Sequence, residues 1–153
     1  MRRASAAVAL ALGCSASAAA APPFGTQHSS AVASPATAGS RAALTLKLSY
    51  PMTCGQPGRG GPVVVTLPTA PRKPTRTTVL VAGKAPPSVG FFGRTVTIGL
   101  PKPPEVICQS ITEGTLRIRF TVAAGFANPA RAGRYPVTAR IGNRTFTPRL
   151  AIH

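Results

Sequence analysis

The side chains able to carry acid–base, nucleophilic or metal chemistry are few and badly spaced for it. Glu105 and Glu113 are the only carboxylates, His28 and His153 the only imidazoles, and Cys14, Cys54 and Cys108 the only thiols. General acid–base work needs a His or carboxylate of tuned pKa beside a partner group. Glu105 and Glu113 read as solvated loop residues on either side of the Cys108 segment. A Ser or Cys nucleophile would need a base, but His28 falls in a polar N-terminal stretch and His153 is the C-terminal residue, where fraying is the rule. Two carboxylates cannot build a calcium cage. A two-cysteine metal site has no imidazole at ligand spacing. Gly58-Arg59-Gly60-Gly61 is not followed by a helical pattern, so it does not read as a phosphate loop. The expectation is a chain with no catalytic site, no metal and no cofactor.

What the cysteines say depends on compartment. Arg2 and Arg3, the short apolar run Ala6 to Gly13, and the small residues Cys14 to Ala21 make an export signal, with residues 1–20 as the leader and cuts after Ala18 or Ala20 both fitting. The apolar run is too short to span a bilayer and no second one exists, so no transmembrane segment is expected. A second reading stays open: Leu12-Gly13-Cys14 resembles a lipobox, in which Cys14 would be acylated. Either way Cys54 and Cys108 remain as an even pair in an exported chain, which reads as a disulfide. It would close a loop of about 55 residues, worth roughly 4 kcal/mol in the chain-entropy model. The expected location is extracellular or at the cell surface.

The elements that must carry these residues read as strands. Residues 21–41 are rich in Ala, Ser, Pro and Thr and read as a flexible linker, with a weak first strand around Gln27 to Ala33. From Ala42 onward apolar residues alternate. Leu44, Leu46, Leu48 and Tyr50 oppose Thr45, Lys47 and Ser49, and Leu116, Ile118, Phe120 and Val122 oppose Arg117, Arg119 and Thr121, the period-two pattern of half-buried strands. Pro and Gly, 17 and 15 in number, punctuate the short apolar runs, so they mark turns between strands. Gly142-Asn143 predicts a two-residue hairpin between Arg134–Ile141 and Arg144–Ile152, with positive φ open to both central residues. Pro148 predicts an edge position for the last strand. About eight strands with regular turns and no helical period predict one all-β domain over 42–153, an antiparallel β-sandwich.

The charge balance is extreme, 18 Lys and Arg against 2 acids, a net charge of +16. Such a chain is drawn to polyanions, although a high-GC coding bias also enriches Arg, Ala, Gly and Pro. If the apolar set is buried, strand parity turns Lys47, Arg117, Arg119 and Arg140 outward, with Arg149 by the same parity. These four are the candidate polyanion-binding residues, with Arg forks suited to phosphate. Few aromatics interleave with them, so neither base stacking on single strands nor sequence-specific nucleic-acid reading is expected.

The series Val79-Leu80-Val81-Ala82-Gly83-Lys84, Gly93-Arg94-Thr95-Val96-Thr97-Ile98, Glu113-Gly114-Thr115-Leu116, Ala124-Gly125-Phe126-Ala127-Asn128-Pro129 and Ala132-Gly133-Arg134-Tyr135-Pro136-Val137 resembles the immunoglobulin-like β-sandwich modules of bacterial cell-surface and surface-layer proteins. The likeness runs from about Val79 to Ile141. Ala82 stands where Asn is usual, and one copy of the module with no wall anchor is expected. The resemblance implies an extracellular, non-enzymatic module. From the charge and the export signal, the expected partner is an anionic cell-wall polymer or another envelope protein. On the residues alone, Asn128-Pro129 ends a strand, Gly133 permits a tight re-entry, and the Tyr135 hydroxyl suits a nearby backbone carbonyl.

Overall fold

The two longest alternating runs form the two longest strands and pair with each other. The computed structural model describes residues 27–53, 61–102 and 111–153. In it β2 (Ala43–Thr53) lies antiparallel to β7 (Ile111–Phe120), with Leu44 opposite Phe120, Leu46 opposite Ile118 and Leu48 opposite Leu116. All six side chains are essentially fully buried. Each such burial is worth about 1.5–3 kcal/mol against leaving the side chain in water, so this ladder of pairs locks the register: a one-residue slip of either strand would turn its three to solvent.

Around this pair the described residues form eleven strands: β1 (His28–Ser34), β3 (Val63–Thr66), β4 (Val79–Val81), β5 (Val89–Phe92), β6 (Thr95–Ile98), β8 (Gly133–Pro136), β9 (Thr138–Ile141), β10 (Arg144–Phe146) and β11 (Arg149–Ile152) join β2 and β7. They make an all-β sandwich. A six-stranded sheet runs β4-β7-β2-β1-β11-β8, and a five-stranded sheet runs β10-β9-β3-β6-β5. Val63, Val65, Val96, Ile98, Ala139 and Ile141 of the second sheet share one core with the β2–β7 ladder. The only helical turn among the described elements is a 3-10 turn over Val122–Ala124, where the sequence had suggested that the strand ran on to Val122.

Four local readings need correction. The stretch 21–41 expected as a linker is in part the strand suggested around Gln27 to Ala33: β1 has seven residues, pairs with β2 along its whole length and lies parallel to β11. Its inward residues are the small Ala31 and Ala33, which explains its faint apolar signal. Glu113, expected in a loop, lies within β7 opposite Pro51. The hairpin around Gly142-Asn143 forms with Ile141 opposite Arg144, but only Gly142 takes a positive φ, +56°, the II′ pattern. Pro148 does not mark an edge strand: β11 lies inside the six-stranded sheet, between β1 and β8. The hairpin's two long arms each change sheets midway. β9 and β10 belong to the five-stranded sheet, β8 and β11 to the other. Pro148 occupies that changeover, and its carbonyl accepts the Val137 N–H at 3.0 Å. A residue without an N–H is tolerated where no ladder bond is required of it.

The predicted Cys54–Cys108 bond, the leader with Cys14, and Glu105 lie outside the described residues. No helix among the described residues is long and apolar enough to cross a membrane.

Candidate anion-binding face

Parity places the bases, and sheet order decides which of them meet. Lys47 on β2 and Arg117 on β7 are direct cross-strand partners, and Arg119, two residues further along β7, stands opposite Thr45. All three are exposed on the outer face of the six-stranded sheet. Directly opposed residues carry their Cβ atoms about 4.5–5.5 Å apart, so two cations there repel unless an anion joins them. Among the described residues no ion pair offsets this charge; Glu113, on the same face, lies four residues back along β7 from Arg117.

Arg140 does not join this group. It sits on β9, opposite Val64 of β3 and Thr145 of β10, on the outer face of the five-stranded sheet. Its alternation with Ala139 and Ile141 sets which way it points, but β9 belongs to the other layer. Arg149 on β11 faces out on the six-stranded sheet, as does Arg134 on β8, opposite Ala151. Arg134 was missed as a candidate although it alternates with Tyr135, because its strand breaks after Pro136 and the alternation is too short to read. The face thus carries Arg117, Arg119, Lys47, Arg149 and Arg134 on four of its six strands.

A pocket of about 320 Å³ opens beside the two β7 arginines, lined by Leu80, Ala82, Gly83, Arg117 and Arg119. Edge strand β4 builds its wall. Leu80 is the cross-strand partner of Arg119, and past β4 the Ala82 N–H donates to the Arg117 carbonyl at 2.8 Å. The turn that closes the wall holds Ala82 at φ +50° and Gly83 at +81°, the I′ pattern in which both central residues take positive φ. Ala82 thus accepts a conformation that Asn would adopt at lower cost. The pocket offers two guanidinium forks beside an apolar wall, suited to an anion carried on a less polar chain. It holds no acid, thiol or imidazole. Among the described residues no three His, Cys, Asp or Glu side chains gather in one place.

The turn residues Asn128, Pro129, Gly133 and Tyr135 lie away from this face and bind backbone. Asn128 is buried. Its Nδ2 donates to Pro35 O at 2.9 Å and Thr37 O at 2.8 Å, and its N–H to Ser40 O at 2.9 Å. The Pro129 carbonyl accepts the Gly39 N–H at 2.9 Å. Together these bonds fasten the loop after β7 to the β1–β2 connection. The Tyr135 hydroxyl donates to Arg131 O at 2.8 Å, and a Cβ on Gly133 would stand 3.5 Å from the Tyr135 ring.

No protein-family model matches the chain, and the comparison with curated proteins finds no match. Among solved structures the chain is similar to BslA, a bacterial hydrophobin, at 16% identity and a TM-score of 0.46, over 84% of this chain and 99% of that one. It is also similar to part of a GH20 exo-β-N-acetylglucosaminidase from Vibrio harveyi, at 10% identity and a TM-score of 0.31, over 83% of this chain and 18% of that one. Neither likeness carries a function to this chain.

Proposed function

We propose that this chain is an exported, non-enzymatic interaction module of the bacterial cell envelope that holds an anionic polymer against the outer face of its six-stranded sheet. The observation that carries the reading is the cross-strand pair Lys47–Arg117 with Arg119 beside it on β7, the two arginines lining a pocket with an apolar wall. Leaving like charges opposed costs stability, and a polymer of repeated phosphates would turn that cost into binding. The export signal and the resemblance of Val79–Ile141 to immunoglobulin-like surface modules support the location and the absence of chemistry. Arg140, on the far sheet, is left out of the site.

The test is retention of the full chain on immobilised poly(glycerol phosphate) through a salt series, beside R117S/R119S and R140S. Retention of the parent should fall steeply with salt, because each phosphate contact releases counterions. R117S/R119S should elute at clearly lower salt and R140S close to the parent. Equal retention of all three at every salt concentration would leave only diffuse charge and remove the site.

A further inference from the structure

The tip of the β5–β6 hairpin holds two large apolar side chains in solvent. Phe91 is 51% exposed and Phe92 90%. They are consecutive, so they point to opposite faces of β5. Phe91 stands opposite the fully buried Val96, yet it is half exposed because β5 is the edge of its sheet and pairs only with β6. Phe92 stands opposite Thr95 on the outer face. Neither is used by the core or by the basic face.

The segments tied to this tip are basic. Arg94, exposed, occupies the hairpin turn, and its carbonyl accepts the Leu67 N–H at 2.9 Å. That bond anchors the tip to residues 67–78, which cross from β3 in one sheet to β4 in the other and carry exposed Arg72, Lys73 and Arg76. The Arg72 and Lys73 N–H groups donate to Gly125 O and Ala124 O, in the loop that exposes Val122. Arg76 Nε donates to Pro86 O at 2.9 Å, just before β5. Edge strands β4 and β5 lie on the same flank of the sandwich, since the β8–β9 and β10–β11 arms join the two sheets along the opposite flank. This corner is held by backbone bonds that link the tip with Phe91, Phe92 and Arg94 to the crossing with Arg72 and Lys73, and that crossing to the loop after Val122. Its described segments hold no carboxylate, and Glu113 lies at the other end of β7.

We propose that this corner docks on an anionic lipid surface, with the Phe pair entering the headgroup–acyl boundary and the bases meeting lipid phosphates. The complementarity is twofold. Apolar side chains rimmed by Lys and Arg match an interface that is hydrocarbon beneath and phosphate above. A second copy is a poorer occupant, because two such corners would meet with cations on both sides and no acid between them. Only the tip enters, so the unpaired backbone edge of β5 remains at the hydrated headgroup level, where its polar groups keep their partners.

The chain has no Trp, so F92W makes a single reporter at an exposed position. In the full chain, F92W emission should shift to the blue with phosphatidylcholine vesicles containing phosphatidylglycerol, and brominated acyl chains should quench it. Phosphatidylcholine alone or inorganic phosphate should give little change. T145W, on the far edge strand, should not respond. F91S/F92S should weaken vesicle partition by about tenfold or more, and R94S by less. R117S/R119S added to F92W should leave the lipid response intact even where polymer retention is lost, so this proposal and the polymer reading fail separately. No shift with vesicles would overturn the proposal. So would an equal response from T145W, or a shift without vesicles that grows with protein concentration, which would assign the corner to pairing between copies.

Discussion

The fold displaces the ionisation of Tyr50, and the direction follows from its surroundings. Burial raises the phenol above its usual value of 10.0, and the Arg144 guanidinium, 5.6 Å from the ring centroid, lowers it by less. The ring packs on Phe146 with centroids 5.5 Å apart. A raised folded pKa means that the native state holds the phenol proton more tightly than the unfolded chain does. The contribution is therefore complete below pH 10 and is lost as pH rises from there through the folded value. Unfolding midpoints in denaturant should decline above pH 10 in the parent and decline less in Y50F. Among the described residues the Tyr50 hydroxyl has no hydrogen-bond partner, so at neutral pH Y50F should be as stable as the parent or gain about 1 kcal/mol. A loss of several kcal/mol in Y50F would show that the hydroxyl is bonded after all.

The connections carry constraints that the strands do not. Gly125 ends the 3-10 turn after β7 at φ +74°, and its N–H donates to Val122 O. A Cβ placed there would lie 2.8 Å from Arg72 Cβ and 3.1 Å from Arg72 N. The 67–78 crossing and the loop after β7 can pack this closely only if one of them lacks a side chain. G125A should cost about 2 kcal/mol, combining a disfavoured backbone region with a contact that cannot relax cheaply. Thermal or denaturant unfolding measures this, and the loss should be larger than for alanine at open, exposed Gly39. A loss no greater than at Gly39 would mean that the Arg72 contact gives way freely. Asn128 acts at the same scale, since one amide donates to two carbonyls of the β1–β2 connection.

At the scale of the whole molecule, long-range pairing joins β1 to β2 and β11, and β2 to β7. The β2–β7 ladder extends to Thr53 opposite Ile111. Cys54 follows the first in sequence and Cys108 precedes the second by three residues, so a bond between them would staple the end of the longest ladder. An oxidised Cys54–Cys108 bridge is expected to stabilise the domain by roughly 4 kcal/mol. Reductant should lower the denaturant midpoint of the parent and leave C54S/C108S unmoved. An unchanged midpoint in the parent would remove the bridge. The crossing connections also separate the charges into two layers: Lys47, Arg117 and Arg119 lie on one sheet and Arg140 on the other, while β4 and β5 end their sheets on one flank.

Period-two alternation was enough to read β2 and β7 in the sequence, because the side chain's face is a local property of a strand and burying one face forces the other outward; the arms around Gly142 were legible from the turn residues between them. The all-β sandwich followed from many such segments cut by Gly and Pro. The outward direction of Lys47, Arg117, Arg119 and Arg140 was legible for the same reason. Which of them share a surface was not, since parity says nothing about which strand lies alongside which. Only the tertiary structure places β7 against β2 and β9 in the opposite layer. It also makes β1 a strand: its inward alanines carry little apolar signal of their own and are buried through the register that β2 imposes. Pro148 misled because its meaning depends on where the arm changes sheets. Phe91 and Phe92 read locally as ordinary strand residues, and they stand in water because β5 has no neighbour beyond it.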